Sequence, residues 1–128
     1  SRSVTPDKAK TNSLIDTANG RIQFLGSNKI TEDNANYIFE GYYSSMLELL
    51  HTLILLRGYK VINHICIGFY IRDILLHDDI FRKFNDCRYK RNSLIYYGRK
   101  MELFVAQDAI NNSKIIIQEI KTILDNEL

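Results

Sequence analysis

Residues 32 to 58 read EDNANYIFEGYYSSMLELLHTLILLRG, and this stretch decides the fold. Ala35, Ile38, Phe39, Tyr42, Met46, Leu49, Leu50, Leu53 and Leu56 lie within about 60° of one line when each residue advances about 100°. That is the apolar stripe of one long amphipathic helix, not the two-residue alternation of a strand. Thr31 with Glu32, Asp33 and Asn34 offers a cap and an acidic first turn, so the helix is expected to start near residue 32. Gly58 ends it.

Upstream, Leu14, Ile15, Ala18, Ile22 and Leu25 recur at three- and four-residue steps and predict a helix that Gly26, Ser27 and Asn28 stop. Residues 1–8 are polar and hold the chain's only proline, Pro6, which reads as a flexible N-terminus. Downstream, residues 59–62 make a short connection that implies an antiparallel neighbour. Asn63 then caps a helix carrying Ile67, Ile71, Ile74 and Leu75. Asp78 and Asp79 are N-cap candidates for a helix through Ile80, Phe84, Cys87, Leu94 and Ile95 to Gly98. The last helix, from about residue 102 to 126, presents Val105, Ala109, Ile116, Ile120, Ile123 and Leu124. Its β-branched run at 115–117 favours a strand by propensity, but the surrounding helical period overrules it. The fold expected is all-α: an antiparallel up-and-down bundle of four to five helices, forming a single domain over residues 9–128.

At 128 residues, with 45% hydrophobic and 25% charged side chains, the chain suits one core and is too short for two. The longest apolar runs, 53–56 and 65–71, fall far short of the roughly 20 residues a bilayer crossing needs, so no membrane association is expected. The first residues lack an apolar segment of the secretory type, which makes the cytoplasm the expected compartment. Cys66 and Cys87 cannot build a disulfide framework, and neither has another cysteine or histidine at ligand spacing; both read as small buried hydrophobes. No cofactor or metal is expected. There is no glycine-rich phosphate loop and no serine nucleophile motif.

The charge is unevenly placed. Residues 82–100 hold seven cations, Arg82, Lys83, Arg88, Lys90, Arg91, Arg99 and Lys100, against one carboxylate, Asp86, in a chain whose total is only +2. Tyr89, Tyr96 and Tyr97 are interleaved with them, the combination in which cations meet phosphates while rings stack on bases. On charge alone, a solvated helix face explains the run as well. The helical wheel adds one fact. Arg91 falls inside the arc spanned by Ile80, Phe84, Cys87, Leu94 and Ile95, so its guanidinium must snorkel to the rim, face a polar cleft or brace a neighbouring helix. Asn92 and Tyr96, one turn apart, flank it as a polar notch.

The stretch Arg91-Asn92-Ser93-Leu94-Ile95-Tyr96-Tyr97-Gly98, together with the Gly41-Tyr42-Tyr43 step, the segment Arg57-Gly58-Tyr59-Lys60 and the pair Asn63-His64, resembles the HEPN domain family over residues 30–126, in particular its archaeal branch. That resemblance implies a small helical bundle that forms a homodimer. It also implies, in many members, a metal-independent ribonuclease, often the toxin of a toxin–antitoxin pair whose other half is a minimal nucleotidyltransferase. The family site is an Arg, four to six residues, then a His, with a polar residue after the Arg. Arg91 and Asn92 match it. The His does not: Tyr96 stands five residues after Arg91, and no histidine follows His77. An unperturbed tyrosine, with pKa about 10, is a poor base near neutrality, whereas Arg91 can still stabilise charge on phosphate.

The expectation is therefore an RNA- or nucleotide-binding protein with weak or absent catalysis. Arg91, Asn92 and Tyr96 are its candidate catalytic residues, and Arg88, Lys90, Arg91, Tyr97, Arg99 and Lys100 its candidate nucleic-acid contacts. The alternatives are an active ribonuclease toxin in which Tyr96, Tyr97 or His64 replaces the missing His, and a non-catalytic partner of a nucleotidyltransferase. Elsewhere His64 reads as a helix-start packing residue, His51 and His77 as exposed, Glu40 and Glu48 as a solvated face, and Tyr42, Tyr43, Tyr59 and Tyr70 as core or interface aromatics.

Overall fold

The computed structural model describes residues 2–3, 7–60, 63–73, 75 and 77–127. Among them are five helices, α1 (Lys8–Gly26), α2 (Ala35–Leu56), α3 (His64–Asp73), α4 (Asp78–Tyr97) and α5 (Leu103–Glu127), and two two-residue strands, β1 (Arg2–Ser3) and β2 (Tyr59–Lys60). The all-α bundle is the architecture expected. Pro6, Val61, Ile62 and Ile74, which entered the sequence reading, lie outside the described residues.

Local chemistry explains the helix ends. The Asp7 side chain accepts from the Lys10 backbone N–H and caps α1. α2 starts at Ala35 where 32 was expected, and Thr31 and Asn34 bond each other reciprocally across the turn that leads into it. Asn34 Oδ1 accepts from the Thr31 N–H at 2.7 Å and Thr31 Oγ1 from the Asn34 N–H at 3.3 Å, which leaves 32–34 as a turn ahead of the helix. Asn63 caps α3 as read, accepting from the Cys66 N–H at 2.8 Å. On α4 the cap is His77, one residue before the expected aspartates, with Nδ1 accepting from the Ile80 N–H. Asp78 and Asp79 occupy the first turn, where carboxylates suit the positive end of the helix. Gly98, at φ 62°, closes α4 in the left-handed conformation that glycine adopts without strain.

Side-chain pairs fix the helix directions. Leu25 meets Gly41 and Arg21 pairs with Glu48, so α1 and α2 are antiparallel. Cys87 against Ala109 and His77 against Glu119 make α4 and α5 antiparallel. In contrast, α2 and α5 run parallel, since Asn36 bonds Met101 at one end and Arg57 bonds Glu127 at the other. Where an antiparallel neighbour was expected after α2, α3 runs in the same sense as α2. His64 thus lies beside Tyr43 and Tyr70 beside Arg57. After α2, β2 pairs with the N-terminal β1, Arg2 with Lys60 and Ser3 with Tyr59.

The core is built on α2. Phe39, Tyr43, Met46, Leu49, Leu50, Leu53 and Ile54 are buried from it, facing Ile67 and Ile71 of α3, Ile80, Phe84 and Cys87 of α4, and Ala109, Ile110, Ile116 and Ile120 of α5. The run at 115–117 is helical, with Ile116 and Ile117 inside and Ile115 outside. Buried Ser45, Thr52 and Ser113 each donate to the backbone carbonyl four residues earlier, whereas the buried Tyr70 hydroxyl has no hydrogen-bond partner among the described residues. No described helix is long and apolar enough to cross a membrane.

Candidate nucleic-acid interface

Of the cations in residues 82–100, three are neutralised where they stand. Lys83 and Arg82 both pair with Asp79, at 2.6 and 3.7 Å. Lys90 lies 2.7 Å from Asp86 and 4.0 Å from Asp108, turned toward α5. Among the described residues Arg88, Arg91, Arg99 and Lys100 have no carboxylate partner; each faces an aromatic ring instead. The usable positive charge is therefore concentrated in the second half of α4 and the corner that follows it.

Arg91 is half-buried and points inward, as its place on the wheel requires. Its guanidinium carbon lies 5.8 Å from the centroid of the Tyr43 ring, a cation–π arrangement that compensates a charge held away from bulk water. Tyr43 is held from below by Phe84, at 6.4 Å and nearly parallel, and by Phe39 at 6.1 Å. Its hydroxyl is 3.1 Å from Nδ1 of His64. Arg88, bonded to Asn85 Oδ1, stacks over Tyr89 one turn before Arg91. The site that forms is thus Arg91, Tyr43 and His64 with Arg88 near, drawn from α4, α2 and the first residue of α3.

The electrostatics set the protonation states. Burial pushes the Tyr43 phenol well above the usual tyrosine range, an effect Arg91 and Arg88 only partly offset, so it keeps its proton. His64 is held below its ordinary value of 6.5, first by burial and then by Arg91, His51 and Arg88. It is neutral at physiological pH. With Nδ1 engaged by the Tyr43 hydroxyl, Nε2 is the ring nitrogen left for another partner. His51, read as exposed, is half-buried on α2 and likewise held low by burial.

The other predicted site residues sit differently. Asn92 is half-buried and Tyr96 is 69% exposed, and no hydrogen bond joins either to Arg91 among the described residues. Tyr97 is 74% exposed with Arg99 at 5.9 Å from its ring. Glu40 and Glu48 do not lie on an open face, because α1 covers that side of α2. They line a concavity of about 490 Å³ with Arg21, Tyr37, Gly41 and Ser44. Tyr59 is 46% exposed, not part of the core, whereas Tyr42, Tyr43 and Tyr70 are buried as read. Cys87 is buried, with its thiol pushed up to about 11 by burial; Cys66 is only partly covered.

Sequence reading did not join Tyr43 to Arg91, because Tyr43 lies off the apolar line that holds Tyr42 and reads only as a core or interface aromatic. His64 entered as one of three stand-ins for the missing His, with no local pattern to place it beside Arg91. Among the described residues no three of His, Cys, Asp and Glu converge. No family model, no curated protein and no solved structure matches the chain.

Proposed function

We propose that the chain binds RNA, with Arg91 and Arg88 taking a phosphodiester beside His64. The observation that carries this reading is the separation of the basic stretch into neutralised cations and cations without a carboxylate, the second group gathered on one end of the bundle. The Arg91 guanidinium, which faces only an aromatic ring, keeps its fork of donors for a phosphate oxygen pair, while Arg88, with Nε and Nη2 on Asn85 Oδ1, has its remaining donors to add. The resemblance to HEPN domains supports the same reading through Arg91 and Asn92. Because Arg91, Tyr43 and His64 all come from one chain, the reading does not require the expected homodimer.

A second reading, metal-independent RNA cleavage, is favoured by one feature. A neutral imidazole stands where the family-like Arg is, anchored by a phenol that holds its proton. With Nδ1–H donated to the Tyr43 oxygen, Nε2 of His64 carries the lone pair that takes the proton of a 2′-hydroxyl while Arg91 steadies charge on the phosphate. His64, and not Tyr96, then fills the role of the missing His. The test uses labelled single-stranded RNA with a chelator present. Arg91→Ala should weaken binding about tenfold, the size of one lost charge-assisted contact, and Lys90→Ala should leave it unchanged. His64→Gln should keep most binding and abolish any cleavage. Binding indifferent to Arg91→Ala contradicts the first reading; cleavage that survives His64→Gln, or none by the unmodified chain, contradicts the second.

A further inference from the structure

Large exposed side chains are not spread evenly over the bundle. Tyr37 (58% exposed), Tyr96 (69%), Tyr97 (74%) and Phe104 (68%) all belong to the end where α2 and α5 begin and α4 stops. Single exposed aromatics are ordinary, but several gathered at one end mark a recognition surface. Two of these rings carry unneutralised cations: Arg99 stands 5.9 Å from the Tyr97 centroid, and Lys100 stands 5.5 Å from that of Tyr37.

The second pair spans two elements, and a specific device holds it. The Asn36 side chain is buried and bonds the Met101 backbone twice, its Nδ2 donating to the carbonyl at 3.0 Å and its Oδ1 accepting from the N–H at 2.8 Å. Gly98 turns the chain out of α4 just before this point. Together they pin the 98–102 corner to the first turn of α2 and bring Lys100 over Tyr37, residues far apart in sequence. Glu40 and Glu48 in the adjoining concavity repel phosphate, so a polyanion held at Lys100 is directed toward α4 and not along α2.

We infer that Tyr97 with Arg99 and Tyr37 with Lys100 form a stacking platform for unpaired nucleobases at the end of α4, the helix that also carries Arg91. The nucleic acid taken is therefore single-stranded. Exposed phenol rings accept any base face-on, and the neighbouring cations meet the phosphates between bases. A duplex keeps its bases stacked on each other and offers these rings only its backbone. The inference rests on the RNA-binding reading above and adds Tyr37 to its residues.

The experiment measures, by fluorescence anisotropy with the full chain, affinity for single-stranded RNA, for the matched duplex and for inorganic polyphosphate, which has charge but no bases. The platform predicts preference for the single strand, a loss of about tenfold for that probe in Tyr37→Ala and in Tyr97→Ala, and no change for polyphosphate in either. Tyr37→Phe should restore binding, because the ring and not the hydroxyl is used. Equal affinity for duplex and single strand overturns the inference, as does a Tyr37→Ala and Tyr97→Ala pair with unaltered affinity while Arg91→Ala still weakens both single strand and polyphosphate; in that case the phosphate site survives without the platform. No binding of any of the three probes overturns the platform and the RNA-binding reading together. A polyglutamate chain bound with the same Tyr37 dependence overturns the platform in favour of an acidic protein partner.

Discussion

His64 shows how much one side chain's surroundings decide. Its helix-start position is ordinary, yet the 3.1 Å contact to the Tyr43 hydroxyl and the nearby guanidinium of Arg91 turn it into a neutral imidazole beside fixed positive charge. The stability consequence has a definite sign. A histidine whose folded pKa is depressed stabilises the fold fully above its unfolded value, 6.5, and loses that contribution as pH falls through the folded value, because the unfolded chain then binds more protons. His51 acts in the same direction, while Asp73 and Asp79, held below 3.8 by Arg72 and Lys83, act only in more acid solution. Urea midpoints should therefore fall from pH 7 to pH 5, and the fall should shrink in His64→Gln. A midpoint that is flat across this interval would contradict the burial of both imidazoles.

Among the elements, α4 and its corner carry the interface, and two glycines show which backbone positions matter. Gly20 sits inside α1 with nothing within 4 Å of where a Cβ would be, so Gly20→Ala should stabilise the protein by about 1 kcal/mol through helix propensity alone. Gly98 also has open space around it, but its φ of 62° forces a side chain into the left-handed region. Gly98→Ala should cost about 1 kcal/mol and Gly98→Asn less, since asparagine tolerates that conformation better. Urea titration of the three variants checks the order; a destabilised Gly20→Ala or a neutral Gly98→Ala would break it. The start of α4 illustrates a smaller lesson. Aspartates are the stronger capping type, yet His77 takes the cap and the aspartates take the first turn, where Asp79 gathers Arg82 and Lys83.

At the scale of the whole molecule, the parts legible in the sequence were those governed by local periodicity. The α2 stripe, the caps at Asn63 and Gly98 and the inward aim of Arg91 all follow from spacing within one helix. Pairing between distant elements was not legible: no local pattern says that α2 and α5 run parallel, or that α3 runs in the same sense as α2 and delivers His64 to Tyr43. The same gap hid Tyr37, which looks like a stray surface aromatic until Asn36 fastens the α4–α5 corner beside it. Within the basic stretch, Asp79 with Lys83 and Asp86 with Lys90 stand at the i,i+4 spacing that sequence already displays, and only the Asp108 contact needs the α4–α5 packing. The most direct test of the account is the salt dependence of single-stranded RNA binding. Affinity should fall linearly on a log–log plot, with a slope made shallower by about 0.7 in Arg91→Ala, the share of one phosphate contact, and unchanged in Lys90→Ala. Absence of salt-dependent binding, or a slope that Arg91→Ala leaves as it was, would contradict the claim that this end of the bundle holds a nucleic-acid backbone.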